Sequence, residues 1–207
     1  MGEILKTGGV ENPLSIKQKR LENKRKELDS VFDYNGVGIE SGIKDVVALL
    51  NLLGFETNMS CEGHKTEKGV QYPYVFVHEA DRPLRYVGEK EYIKSLKAEI
   101  EKGAMTEDQA TKKYYEWIDF QDNETDEYKA WQLRYAVFEE KVKDLVNKYN
   151  LKNDGHRVVV KTVQGATSCE ITTENFSSGK EQEKDLITAQ EVFKRFKLFL
   201  EELYFSI

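Results

Sequence analysis

Apolar positions recur along the chain in two rhythms, and the switches between them predict the elements. Residues 14–31 carry Leu14, Leu21, Leu28 and Val31 on an otherwise charged stretch, a thin helical stripe. A glycine-rich turn over 33–40 separates it from a second helix. There Ser41 is the expected N-cap, and Ile43, Val46, Val47, Leu50 and Leu53 recur at helical spacing. Gly54 is placed to end that helix in the left-handed conformation glycine tolerates. Residues 55–60 and 72–78 then read as two strands joined by a loop over 61–71.

Helical patterns follow over 91–102, 106–120 and 126–149, the second opened by a capping box of Thr106 and Gln109. Tyr114, Tyr115, Trp117, Ile118, Trp131, Leu133, Tyr135 and Phe138 form an aromatic seam suited to packing helix on helix. The β-branched runs 156–163 and 167–173, separated by the short turn 164–166, predict a hairpin. A last helix over 184–204 carries a wide apolar face that fits a helix lying on a sheet. The expected fold is α/β of the α+β kind: a mainly antiparallel sheet with helices on one face, in a single domain over 1–207. Residues 1–31 would be an N-terminal helical extension and 89–150 a helical insertion.

Composition narrows the function classes. The 207 residues are 39% hydrophobic, 33% charged and 11% aromatic, a polar chain whose aromatic content argues against disorder. The net charge is -6. Binding through phosphates needs a basic footprint, and only Lys17–Lys26 and Lys194–Lys197 offer one, so nucleic acid is not the leading partner. There is no apolar leader in the first ten residues and no run of about 18 apolar residues, so no membrane contact is expected. Cys61 and Cys169 show no framework spacing, which suits two thiols in a reducing cytoplasm.

The densest chemistry is the run Ser60-Cys61-Glu62-Gly63-His64, where a strand gives way to a loop. Cys61 offers a thiolate, Glu62 a carboxylate, His64 an imidazole that titrates near neutrality, and Gly63 a sharp turn. Cys61, Glu62 and His64 are the candidate catalytic residues, as a thiolate–imidazole pair with a carboxylate orienter or base. Neighbouring strand residues point to opposite faces, so Cys61 and Glu62 diverge unless the chain has already left the strand. If the site holds a metal, Cys61 and His64 have the Cys-x-x-His spacing for one zinc ion. In a simple hairpin His78 would lie about 20 Å from Cys61, too far to share it. A purely structural reading stands beside these: Cys61 as a small buried hydrophobe, Glu62 solvated, and His64 packing on the loop.

Residues 43–79 resemble the opening of the wybutosine-synthesis methyltransferase family. The helix ending Leu49-Leu50-Asn51-Leu52-Leu53-Gly54-Phe55 is similar to that family's L-x-x-L-N helix. Glu56 to His64 is similar to its strand running into T-x-S-S-C-S-G-R, and the strand ending Tyr74-Val75-Phe76-Val77-His78-Glu79 to its later F-V-x-H strand. His64 stands where that family has arginine and Glu62 where it has serine. The stretch is also similar to bacterial and phage proteins carrying S-C-x-G-H after a comparable helix. The resemblance implies an α/β fold with substrate or S-adenosylmethionine near Ser60, Cys61, Gly63 and His78, which makes Ser60, Gly63 and His78 the candidate ligand-binding residues. Three functions are therefore expected: binding or processing of a small polar ligand, nucleotide-like among the candidates; a non-enzymatic interaction protein, such as a mobile-element or phage regulator, meeting a protein partner through its helical insertion; and an S-adenosylmethionine-dependent RNA-modification protein.

Overall fold

The computed structural model describes residues 12–33, 36–67, 69–79, 82–162, 167–174 and 182–207. It divides into two compact units, one comprising the chain up to His78 with Val142–Ile207, the other Glu79–Lys141. The fold is α+β.

The first unit contains helices α1 (Pro13–Leu28) and α2 (Ser41–Leu52), then strands β1 (Glu56–Cys61), β2 (His64–Thr66), β3 (Gly69–Gln71) and β4 (Tyr74–His78). It closes with β5 (Val158–Thr162), β6 (Ser168–Thr173) and helix α6 (Gln182–Ser206). Helices α3 (Glu89–Glu101) and α4 (Glu107–Asp119) lie in the second unit, and α5 (Asp126–Lys152) begins in the second and ends in the first.

One antiparallel sheet runs in the order β1-β4-β6-β5. The strands of the expected second hairpin pair, β1 pairs antiparallel with β4, and β4 beside β6 joins the two pairs; the 164–166 turn lies outside the described residues. Burial alternates along the central strands. Val75, Val77, Cys169 and Ile171 are fully buried, while Tyr74, Phe76, His78 and Glu170 on the other face are half-buried. α2 and α6 cover the buried face, with Ile43, Val46, Val47 and Leu50 from one and Ala189, Val192, Phe196 and Leu200 from the other. Tyr149 packs its ring edge-on to Phe196 at 5.2 Å. Its hydroxyl donates to the Val192 carbonyl, so the one polar atom of this large buried side chain is satisfied.

α1 is packed rather than trailing: Leu21 and Leu28 are buried against α2, and Leu14 and Val31 remain exposed. Its basic run is largely engaged. Arg25 bonds Asp45 of α2 at 2.7 Å, Lys197 of α6 reaches the same carboxylate at 3.5 Å, and Lys24 pairs with Glu27. Burial alone would raise the Asp45 carboxyl, but the hydrogen bond and charge of Arg25, with Lys197 behind it, hold it below its ordinary range. Lys194 is paired with Glu191. These cations serve helix surfaces and helix contacts.

Three local expectations are corrected. The N-cap of α2 is Glu40, not Ser41, and its side chain makes no cap hydrogen bond. The 61–71 loop is a small ribbon, β2 paired with β3, closed by Gly69 at φ +134° and a Thr66 hydroxyl donating to the Gly69 carbonyl. β5 starts at Val158 rather than His156, because the Asn150 side chain bonds both the N–H and the C=O of Val158 and so begins the strand there. Gly54 has the expected left-handed backbone, at φ +88°, and the Thr106–Gln109 capping box is formed.

In the second unit the aromatic seam is only partly internal. Trp117 stacks on Tyr92 at 4.8 Å, and Tyr128, Trp131 and Tyr135 stack in series. Buried Glu89 accepts from the Tyr86 amide and the Tyr114 hydroxyl. Tyr115 and Leu133, expected in the seam, are 62% and 74% exposed. No helix among the described residues is long and apolar enough to cross a membrane.

Candidate functional site

β1 ends at Cys61, which pairs with Tyr74, and the chain leaves the strand before Glu62. Gly63 then takes φ +85°, a left-handed turn. A Cβ at position 63 would lie 2.7 Å from the Pro73 ring and 3.0 Å from Leu186, so the turn is both backbone-strained and closely walled for any other residue. The reversal brings His64 back over Cys61, with Nδ1 3.5 Å from Sγ. The Gln190 side chain fastens the turn by donating to the Gly63 carbonyl at 2.9 Å.

The third member of the cluster is Glu40, which the sequence reading did not single out. Its Oε1 lies 3.3 Å from His64 Nδ1, and Glu40, Cys61 and His64 each present one donor atom within 4.8 Å of the other two. The Glu62 amide donates to Glu40 Oε2 at 2.6 Å, and the Gly63 amide donates to Cys61 Sγ at 3.3 Å. Two consecutive backbone amides thus hold two of the three side chains.

Glu62 is diverted from the cluster. Its Oε2 accepts from the Gly42 amide at 2.6 Å, in the first turn of α2, where unpaired N–H groups and the helix dipole favour a carboxylate. It supplies the cap that Glu40 does not. Glu62→Ala is expected to cost about 1 kcal/mol of stability. Glu62→Gln, which keeps an acceptor, should recover most of it in a denaturant titration, whereas a catalytic Glu62 would show no such stability difference.

Burial pushes the Cys61 thiol up to about 11, a shift opposed by the Gly63 amide and reinforced by the Glu40 carboxylate. A bare thiol there stays protonated at neutral pH, which is the reverse of what an activated nucleophile requires. Burial also raises the adjacent Tyr74 phenol, with Cys61 and Glu40 adding to it.

A cavity of about 510 Å³ opens beside the cluster, between residues 31–33 and 37–40 and β1. Glu40, Ser60, Cys61, His64 and Tyr74 line one part of it. Val31, Phe32, Val37 and Met59 line another and are 45%, 60%, 59% and 58% exposed. Asn51 also lines it, and its buried Oδ1 has no hydrogen-bond partner. His78 is not brought to this site: it pairs with Glu56, four residues along β4 from Tyr74, or about 13 Å at strand rise. Of the sequence-predicted residues, Ser60, Cys61, Gly63 and His64 therefore converge, Glu62 turns to the helix, and His78 sits at the other end of the hairpin.

Against protein families, curated proteins and solved structures, the chain finds no match.

Proposed function

We propose that the protein binds a small amphipathic ligand in the cavity beside β1, its polar end at Glu40, Cys61 and His64 and its apolar body against Val31, Phe32, Val37 and Met59. The observation that carries this is the coincidence of four exposed large apolar side chains and the polar cluster in one cavity. Ligand pockets combine these two features, a mostly apolar wall with a few convergent polar groups. The volume is of ligand size.

Charge refines the class of ligand. Glu27, Asp33 and Glu40 line the cavity, and among the described residues no lysine or arginine does. A nucleotide's phosphates would meet carboxylates there, so the lining favours a neutral or cationic ligand. S-adenosylmethionine carries a sulfonium cation and stays within this class, which keeps the methyltransferase resemblance testable at the same site.

The test is a protein-observed ¹H–¹⁵N NMR screen over neutral, cationic and phosphate-bearing compounds, with S-adenosylmethionine in the panel. Binding of neutral or cationic members is expected, with chemical-shift changes at 31–40 and 57–64, and is expected to be lost when Met59→Trp fills the cavity. Binders that ignore Met59→Trp, or a screen won by phosphates alone, would overturn the reading.

The interaction-protein reading has one observation of its own. Leu133 and Val137, one turn apart on α5, are 74% and 58% exposed, and Tyr115 and Phe120 in the same unit are also exposed. It takes precedence if no ligand registers in the screen and sedimentation shows self-association that Leu133→Lys with Val137→Lys removes.

A further inference from the structure

The spacing of the three donor atoms carries more than a polar end for a ligand. Zinc bonds of about 2.3 Å to a thiolate and about 2.0–2.1 Å to imidazole or carboxylate, set at the tetrahedral angle, put sulfur and nitrogen about 3.5 Å apart and nitrogen and oxygen about 3.3 Å apart. Cys61 Sγ and His64 Nδ1 are separated by 3.5 Å, and His64 Nδ1 and Glu40 Oε1 by 3.3 Å. Two edges of a tetrahedral face are therefore already in place.

We propose that Glu40, Cys61 and His64 bind one divalent transition-metal ion, zinc in the first instance, with a fourth coordination position open to the cavity.

Four observations support the assignment. First, the three donor atoms converge, each within 4.8 Å of the other two. Without an ion the Glu40 carboxylate accepts from both the Cys61 thiol and His64 Nδ1, and a cation would take the place of those two protons at one point. Second, the outer support of such a centre is built. The Glu62 amide occupies Oε2, which leaves Oε1 for the ion, and the Gly63 amide bonds Sγ, as amides commonly support metal-bound ligands. Third, the donor set selects the ion: thiolate with imidazole suits zinc and its neighbours, whereas magnesium and calcium want oxygen. Fourth, three protein ligands plus an open position is the pattern of reactive zinc rather than structural zinc, and the side chains of His64 and Glu40 are 47% and 31% exposed, which leaves room for a fourth ligand. The ion also changes the role of Cys61, because a coordinating thiol is deprotonated outright by its metal.

Metal binding itself stands apart from the cavity reading; only the use of the open position rests on it. The experiment is run without organic ligand. Full-length protein stripped with a chelator is titrated with Zn²⁺ by calorimetry and, in parallel, with Co²⁺ followed by absorption. One ion per chain is expected, with a thiolate-to-cobalt charge-transfer band and the intense visible bands of a four-coordinate ion. Glu40→Gln and His64→Asn should each weaken zinc binding by roughly a hundredfold, with the charge-transfer band surviving in Glu40→Gln and disappearing in Cys61→Ser. Half-exposed His64 makes His64→Asn the variant most certain to stay folded, so the outcome does not depend on Cys61→Ser folding. A folded wild type that takes up no zinc would overturn the proposal, as would unchanged affinity in folded His64→Asn and Glu40→Gln. If zinc binds but the ligand screen is silent, the cavity reading fails alone. If ligands bind metal-free protein and zinc does not, the metal centre fails alone.

Discussion

Phe196→Ala should cost about 3–5 kcal/mol, the range for removing a large aromatic side chain from a core that relaxes only partly. Phe196 is fully buried on α6, between the sheet and the rings of Tyr149, Phe193 and Phe199 at 5.2, 6.1 and 6.3 Å. Its loss removes apolar burial and an edge-to-face contact with Tyr149, and leaves a cavity that neighbouring rings, themselves packed in fixed rotamers, fill poorly. A guanidinium titration should show the midpoint falling with little change in slope. A loss below about 1 kcal/mol would mean that the ring cluster repacks, and that α6 is held to the sheet mainly by its aliphatic residues.

Gly63→Ala is the site-directed counterpart, with an expected loss of about 2–4 kcal/mol. Two costs combine. A left-handed backbone at φ +85° is unfavourable for alanine by roughly 1–2 kcal/mol. The added methyl would then sit 2.7 Å from a Pro73 ring carbon and 3.0 Å from Leu186. Leu186 can rotate, but the proline ring cannot move without shifting the chain that leads into β4. The turn must therefore shift, and with it the amide that supports Cys61 and the short reach that places His64 beside it. Zinc affinity and stability should fall together in this variant, whereas Glu62→Ala should lower stability more than zinc affinity. A Gly63→Ala protein with wild-type melting and wild-type zinc affinity would show that the Cys61–His64 geometry does not depend on the turn.

Much of this architecture follows from local rules, and those parts were legible along the chain. The 3.6-residue stripes set α2 and α6, because a helix repeats its buried face at that interval whatever it packs against. Gly54 and the Thr106–Gln109 box act within one turn of backbone and were readable for the same reason. The distance of His78 from the Cys61 end was legible as the consequence of an antiparallel pairing of the two strands, and β1 pairs with β4 in that way. The Cys61–His64 pair is likewise local, three residues apart across a glycine turn.

What remained hidden depends on contacts between distant residues. Cys169 enters the sheet centre only because β6 lies beside β4, whereas the start of β5 is set nearer by, through the side chain of Asn150 eight residues upstream on α5. The exposure of Leu133 and Tyr115 shows that aromatic and aliphatic spacing gives a face but not what covers it. Glu40 precedes Cys61 by 21 positions and in sequence is one acidic residue among many. It joins the site because α2 packs on β1 and brings the helix start to the strand end, where the Glu62 amide fixes one of its oxygens. The same packing takes Glu62 away, since the open N–H groups at the start of α2 draw its carboxylate more strongly than the cluster does. Which of two nearby carboxylates joins the Cys61–His64 cluster and which caps the helix is therefore decided by how a helix end meets a strand end, a relation that no local spacing encodes.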